Sequence, residues 1–265
     1  MISCKEYHDR NVAHIKEQIE GMSEKPSLCI IQVGDNEASN RYVRNKVKDC
    51  EEVGIVAKVD KAPEWYTERD IYDLIHNRNT YTGIIVQMPL PDSIDTEAVK
   101  QMIPYQQDVD GFGGRTTPCT PRGILDWLSL NDIDLDGKNV TIFGRSDIVG
   151  KPLAELMNKH NATVTLCHSH TKNIKEHIKY ADIIVSAVGK KGFLTKDIMR
   201  YCEKRPIVID VGINFDESGK LCGDCSKDLQ GYRNMAYVTP VPKGVGLLTR
   251  TAMLDNLLDL YRENR

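Results

Sequence analysis

From end to end the chain alternates short apolar stretches with helix-like ones, which restricts it to few architectures. Residues 27–33 (SLCIIQV), 55–60 and 83–88 (GIIVQM) read as strands bounded by turn residues. An amphipathic helix marked by Val12, Ile15, Ile19 and Met22 precedes them. Between the strands lie a helix over 38–53 and one opened by Thr67-Glu68-Arg69-Asp70, a capping-box sequence, with Ile71, Leu74 and Ile75 as its apolar stripe. A short helix over 95–102 follows, stopped by Pro104. Strand and helix in turn favour a parallel sheet covered on both faces. After a linker-like stretch, 113–118, Thr120 is positioned to cap a helix with Pro121 at its first position. Strands at 139–143, 163–167, 182–187, 207–210 and 237–239 then repeat the alternation. The fold class is therefore α/β, with two α/β domains, the second a Rossmann-like, doubly wound parallel sheet.

Composition excludes several function classes. A net charge of -3 with no basic block gives no nucleic-acid footprint. The apolar runs are too short to span a membrane, and MISCKEYHDR lacks the apolar core of a secretory signal. Eight cysteines in such a chain are expected as reduced thiols in a cytoplasm. Cys222-Gly223-Asp224-Cys225 has C-x-x-C spacing but no second ligand pair, so no metal is expected.

The helix over 38–53 carries the first chemical signal. Asn36 or Ser39 can cap it, Gly54 can end it, and Val43, Val47 and Cys50 form its core stripe. Tyr42 and Lys46 are four residues apart and share a neighbouring face. An aromatic ring beside an amine can hold and act on a flat substrate; it can also be a rim tyrosine beside a solvated lysine. Gln87 follows the third strand, and Asp110 follows the next helix. Ligands of open α/β sheets sit at the carboxyl ends of strands, so Tyr42, Lys46, Gln87 and Asp110 can converge on one edge.

The second half carries a cofactor signal. Gly144-Arg145-Ser146-Asp147-Ile148-Val149-Gly150 departs from G-x-G-x-x-G, with Ser146 in place of the second glycine. Its strand-before, helix-after setting suits a phosphate at a helix N-terminus, and Arg145 adds a forked cation. Where NAD enzymes hold an acid for the ribose, this chain has His168, Ser169, His170 and Thr171, which favours NADP. Thr239-Pro240-Val241-Pro242-Lys243-Gly244-Val245-Gly246 can bring backbone against a ligand before a last helix through Met253, Leu257 and Leu260.

These motifs, in this order, resemble the bifunctional methylenetetrahydrofolate dehydrogenase/cyclohydrolase family. The resemblance rests on Ser39-Asn40 with Tyr42 and Lys46, 86–91 (VQMPLP), 108–111 (DVDG), 118–121 (PCTP), 144–146 with 149–152, 167–169 (CHS), 210–214 (DVGIN) and 239–242 (TPVP). It implies a folate-binding catalytic domain of residues 1–119 plus 248–265 and an NADP-binding domain of residues 120–247, with an active-site cleft between them and a homodimer as the assembly. It implies NADP-dependent oxidation of 5,10-methylenetetrahydrofolate to the methenyl compound and hydrolysis of that to 10-formyltetrahydrofolate. Lys46, Gln87 and Asp110 become catalytic residues. Tyr42, Gln87, Asp110, Pro242 and Gly246 become substrate-binding. Gly144, Arg145, Ser146, His168, Ser169 and Ile213 become cofactor-binding. A free lysine titrates near ~10.4 and must be lowered toward roughly 7–8 to act as a base; a charged one can instead stabilise developing negative charge.

Two departures from the family support a second reading, a folate- or nucleotide-binding homologue with weak activity or only one of the two. The loop after Phe112 is short, with only Gly113 to Thr117 before Pro-Cys-Thr-Pro. The family's Pro-Gly-Gly-Val-Gly-Pro-Met-Thr stands here as residues 242–249, with Lys243 for a glycine and Leu247 for a proline. A third reading, a dehydrogenase of a small acid, leaves Tyr42 and Lys46 without a task.

Overall fold

The computed structural model describes residues Met1–Asn264. The chain divides into two compact units: Asp9–Cys119 with the chain from Arg250 onward, and Met1–His8 with Thr120–Thr249. In chain order the elements through the first sheet are α1 (Cys4–Glu20), β1 (Ser27–Val33), α2 (Glu37–Val53), β2 (Val56–Ala62), α3 (Glu68–His76), β3 (Gly83–Val86) and α4 (Thr96–Met102). Next come α5 (Cys119–Leu130), β4 (Asn139–Phe143), α6 (Gly150–Lys159), β5 (Thr163–Cys167), α7 (Ile174–Ile178), β6 (Ile183–Ser186), α8 (Lys196–Met199) and β7 (Ile207–Asp210). The chain closes with the hairpin β8 (Asn214–Phe215) and β9 (Leu221–Cys222), β10 (Tyr237–Val238) and α9 (Val245–Glu263).

The first unit holds a three-stranded parallel sheet in the order β2-β1-β3. Alternation along a strand sends successive side chains to opposite faces. Leu28, Ile30 and Ile85 meet Ile15 and Ile19 of α1, Val43 and Cys50 of α2, and Leu254 and Leu257 of α9. Cys29, Ile31, Ile84 and Val86 meet Ile71 and Ile75 of α3 and Val99 of α4. The sheet is thus covered on both faces, as the alternation requires. Its order reverses between β1 and β3, so the switch point lies at the carboxyl ends of those two strands.

The second unit holds five parallel strands in the order β10-β7-β6-β4-β5. In chain order that is 2-1-3-4-5, with its switch point between β4 and β6. Val140, Ile142, Val185 and Ile209 pack with Trp127 of α5 and Leu153 of α6. Phe143, Ile184 and Val208 pack with Ile178 of α7 and Met199 of α8.

Several boundaries differ from the sequence expectation for identifiable reasons. Cys4 and Tyr7 fill the core around Trp127, so the first eight residues lie with the second unit, whereas Val12, Ile15 and Ile19 of the same helix serve the first. Helix α5 starts at Cys119, ahead of Thr120, so Pro121 stands at its third position, still in the first turn where no N–H is required. Strand β3 ends at Val86, but the Gln87 N–H still bonds Ile31 O at 2.8 Å.

Candidate active site

The β1/β3 switch point collects the first group of site residues. Asn36 Oδ1 accepts the Ser39 N–H at 3.0 Å, and left-handed Gly54 (φ 84°) closes α2. Such a cap contributes about 1 kcal/mol and fixes where the helix starts after β1. Lys46 then lies 3% exposed, its Nζ 5.2 Å from the centre of the Tyr42 ring. Among the described residues no carboxylate pairs with it. A buried ammonium is costly to desolvate, and a ring face offsets only part of that cost.

Gln87 is also buried. Its Nε2 donates to Met88 O at 2.7 Å, which leaves Oε1 buried with no donor. Two neighbours in the same unit share this condition. Ser39 Oγ has no partner, and Gln32 spends its Nε2 on Asn40 Oδ1 at 2.7 Å while its Oε1 has none. Buried polar atoms almost always have partners, so unsatisfied ones at a ligand edge are sites that a bound molecule or water completes.

Asp110 is placed by another carboxylate. Asp108, 1% exposed, accepts the N–H groups of Gly111 at 3.0 Å and Gly113 at 2.6 Å, and burial pushes its pKa up against those bonds. Gly111 has φ 76°, and a side chain there would meet Thr116 O at 2.6 Å. Asp108 bridges to Ile84 in parallel register, which sets the start of the Asp108–Gly111 turn beside β3. Tyr42 and Lys46 on α2, Gln87 after β3 and Asp110 in the turn after the Asp108 bridge all belong to the first unit.

The short loop after Phe112 is well tied. Thr116 Oγ1 donates to Asp108 O at 2.8 Å, and Asn256 of α9 donates to Val109 O at 2.7 Å and Thr117 O at 2.8 Å. Asp108 and Asn256 went unrecognised in the sequence. The clues were an Asp two before Asp-Gly and an Asn inside an apolar helix stripe. Arg250 was missed too. Its Nη1 reaches Asn45 O at 3.2 Å and Asp49 Oδ1 at 3.0 Å, bracketing Lys46 on α2. Burial raises Asp49 to about 6 despite the guanidinium.

The β4/β6 switch point holds the second group. Gly144 (φ 110°) approaches Ala187 so closely that a Cβ would lie 2.3 Å from its carbonyl oxygen. At Gly150 a Cβ would lie 2.0 Å from Gly144 O, so both ends of the loop require glycine although its middle does not. Val149 gives α6 no side-chain cap, but Ser146 Oγ accepts Gly150 N–H at 3.5 Å and Ser146 O accepts Lys151 N–H at 3.1 Å; Arg145 and Ser146 are exposed. Gly144 N bonds Cys167 O at 2.9 Å, which sets the end of β5 beside this loop. There His168 is half-buried, while Ser169 and His170 are exposed, and His170 N donates to His168 Nδ1 at 3.2 Å. A glycine-lined cradle at a helix start and a neighbouring strand end without a carboxylate fit a dinucleotide with a 2′-phosphate. Ile213 is 61% exposed on the loop after β7.

Pro242 and Gly246 belong to the second unit and are exposed; a Cβ at Gly246 would meet nothing within 4 Å. Lys243 stands in the left-handed region that favours glycine, at φ 72°, and is exposed. The Leu247 N–H, which proline would lack, bonds Gly244 O at 2.9 Å. All eight cysteines are unbridged, and no group of His, Cys, Asp and Glu placed to hold a metal occurs among the described residues. No described helix is long and apolar enough to cross a membrane.

Known proteins match along nearly the whole chain. The catalytic domain of tetrahydrofolate dehydrogenase/cyclohydrolase matches residues 2–110, and the NAD(P)-binding domain of the same enzymes matches residues 118–265. The bifunctional protein FolD of Bacillus cytotoxicus is 42% identical, over 98% of this chain and 95% of its own. The crystal structure of the bifunctional FolD dehydrogenase/cyclohydrolase of Campylobacter jejuni is 34% identical and superimposes with a TM-score of 0.92, covering 99% of this chain and 98% of that one. The Trypanosoma brucei FolD, solved with NADP and an inhibitor, is 29% identical with a TM-score of 0.91, covering 100% of this chain and 97% of that one.

Proposed function

The chain belongs to the tetrahydrofolate dehydrogenase/cyclohydrolase family, and from that premise we propose that it oxidises 5,10-methylenetetrahydrofolate with NADP and hydrolyses the methenyl product to 10-formyltetrahydrofolate. The observation that carries this reading is Lys46: an amine nine-tenths buried, against the Tyr42 ring, with no carboxylate to neutralise it and an unsatisfied acceptor on Gln87 at the same sheet edge.

Each residue has a task that its surroundings support. Tyr42 presents a ring face on which the p-aminobenzoyl group stacks. Asp110 accepts from the amino and ring N–H donors of the pterin. In the hydrolysis, water adds to the methenyl carbon and one of its protons leaves through Lys46; the bond from that carbon to N5 then breaks as the C=O forms and the hydroxyl proton is transferred to N5. Gln87 Oε1 holds the water or the amine in line. For the oxidation, bound NADP supplies the nicotinamide that takes up the hydride. Gly144, Ser146 and the start of α6 hold its pyrophosphate, while Arg145, His168 and Ser169 address the 2′-phosphate. Ile213 gives an apolar contact at the next strand end, and Pro242 and Gly246 belong to the substrate set. A homodimer in the cytoplasm completes the proposal, and sedimentation equilibrium tests the dimer.

Absorbance of the methenyl compound, supplied directly or formed with NADP, tests the reading. Lys46→Met is expected to lower its hydrolysis about 10²–10⁴-fold while its formation persists. Hydrolysis at the parental rate in Lys46→Met would remove Lys46 from the mechanism.

A further inference from the structure

The second switch point contains a charged group for which neither reaction step has a use. Asp224 is 0% exposed and lies beyond β9, between Gly223 and Cys225. Its Oδ2 accepts Ser186 Oγ–H and Val188 N–H, both at 2.9 Å, and its Oδ1 accepts Lys190 N–H at 2.8 Å and Asn214 Nδ2–H at 3.0 Å. Four donors converge on it, the complement of an acceptor-only ionised carboxylate. No cation among the described residues pairs with it.

A second buried carboxylate seats the first. Asp210, at the end of β7, accepts Asp224 N–H at 2.9 Å, Cys225 N–H at 2.8 Å and Gly212 N–H at 3.0 Å. The fit leaves no slack. A Cβ on Gly212 would lie 2.2 Å from Asp224 Oδ1, and one on Gly223 would lie 2.0 Å from Asp210 Oδ2.

The segments held this way are those that border the dinucleotide edge. Ser186, Val188 and Lys190 lie at the end of β6 and in the turn after it, and Ala187 of that turn is what Gly144 packs against. Asn214 adjoins Ile213. We propose that Asp224 is a positioning residue for NADP binding, its carboxylate fixing the 186–190 turn and the 213–214 loop in the shape that receives the dinucleotide. This rests on the dinucleotide reading of that edge.

Asparagine at 224 would turn an NH₂ group toward two of the four donors while keeping the volume. In the full-length protein, Asp224→Asn is expected to weaken NADP binding, measured by calorimetry, about tenfold or more. Hydrogen exchange at Val188 and Lys190 in the free protein should accelerate. Hydrolysis of supplied methenyltetrahydrofolate should stay within about twofold, because Lys46 and Gln87 lie in the other unit. Parental NADP affinity in a folded Asp224→Asn overturns the proposal, as does an equal loss of hydrolysis. If Asp224→Asn does not fold, Ser186→Ala, which removes one donor, decides: a weaker NADP complex, by about threefold, with faster local exchange supports the role, and no change in either overturns it. A parental protein that binds no NADP overturns the dinucleotide reading itself, a result separate from these.

Discussion

The two switch points share a topology and differ in how their polar groups are satisfied. At the β1/β3 edge, Gln87 Oε1, Ser39 Oγ and Gln32 Oε1 are buried without partners, and Lys46 has a ring in place of a counter-ion. At the β4/β6 edge, Asp210 and Asp224 are equally buried, yet each accepts at least three donors within 3.0 Å. An edge that performs acid–base chemistry needs unfilled valences for water and substrate. An edge that seats a large ligand on backbone needs loops that already have their shape. The same strand order therefore supports a reactive surface in one unit and a rigid cradle in the other.

That contrast can be broken at its sharpest point by filling the valence at Gln87. Gln87→Met removes the unsatisfied acceptor, and methenyl hydrolysis should fall about 10–100-fold, the range of one hydrogen bond to a charged group. Urea unfolding should move little, since the amide contributes one bond to Met88 and leaves one atom unsatisfied. A variant that hydrolyses normally would mean the open acceptor is incidental. Asp49, one turn after Lys46 on α2 and paired with Arg250, provides a smaller test. Its folded pKa is raised to about 6, above the usual carboxylate range, by burial first, with Arg250 opposing. A raised acid contributes stability that is lost as pH climbs from the unfolded value through the folded one. Relative to Asp49→Asn, the parental protein should lose roughly 1–1.5 kcal/mol between pH 5 and pH 8 in urea unfolding. An unchanged difference would show that Arg250 balances the burial. The smallest effect is expected at Lys243, whose left-handed backbone costs about 1–2 kcal/mol. Lys243→Gly should raise stability by about 0.5–1 kcal/mol after the glycine's greater unfolded freedom is counted, and a thermal melt reads it.

How much of this could be read beforehand follows from the range of each interaction. Strands 27–33, 139–143, 163–167 and 207–210 have the expected ends, because an apolar run closed by turn residues is a local signal. The Thr67/Asp70 box and the Asn36 cap are local too, and both form. Helices α7 and α8, of five and four residues, are too short to show a period, and the β8–β9 hairpin is two residues a side. In the candidate site, Tyr42 and Lys46 could be paired from their spacing of four on one helix, whereas the convergence of Gln87 and Asp110 with them is a proposal that strand order suggests. Asp108, Asp224, Asn256 and Arg250 could not be placed, since their partners are backbone groups or side chains 3 to 205 positions away. Composition reveals a buried polar residue only once the fold has chosen its donors.

Helix α9 has a consequence for how the chain can be divided. It begins in the second unit with Val245 and Leu248, then supplies Ala252, Met253, Leu254, Leu257, Leu258 and Leu260 to the core of the first. Each such side chain contributes about 1.5–3 kcal/mol when buried. A fragment ending at Cys119 would lack all of them, together with the Asn256 amide that ties the loop bearing Asp110. The two units are thus separable in space but not along the polypeptide. The helix that follows the second unit in the chain is the one that completes the core around the first sheet.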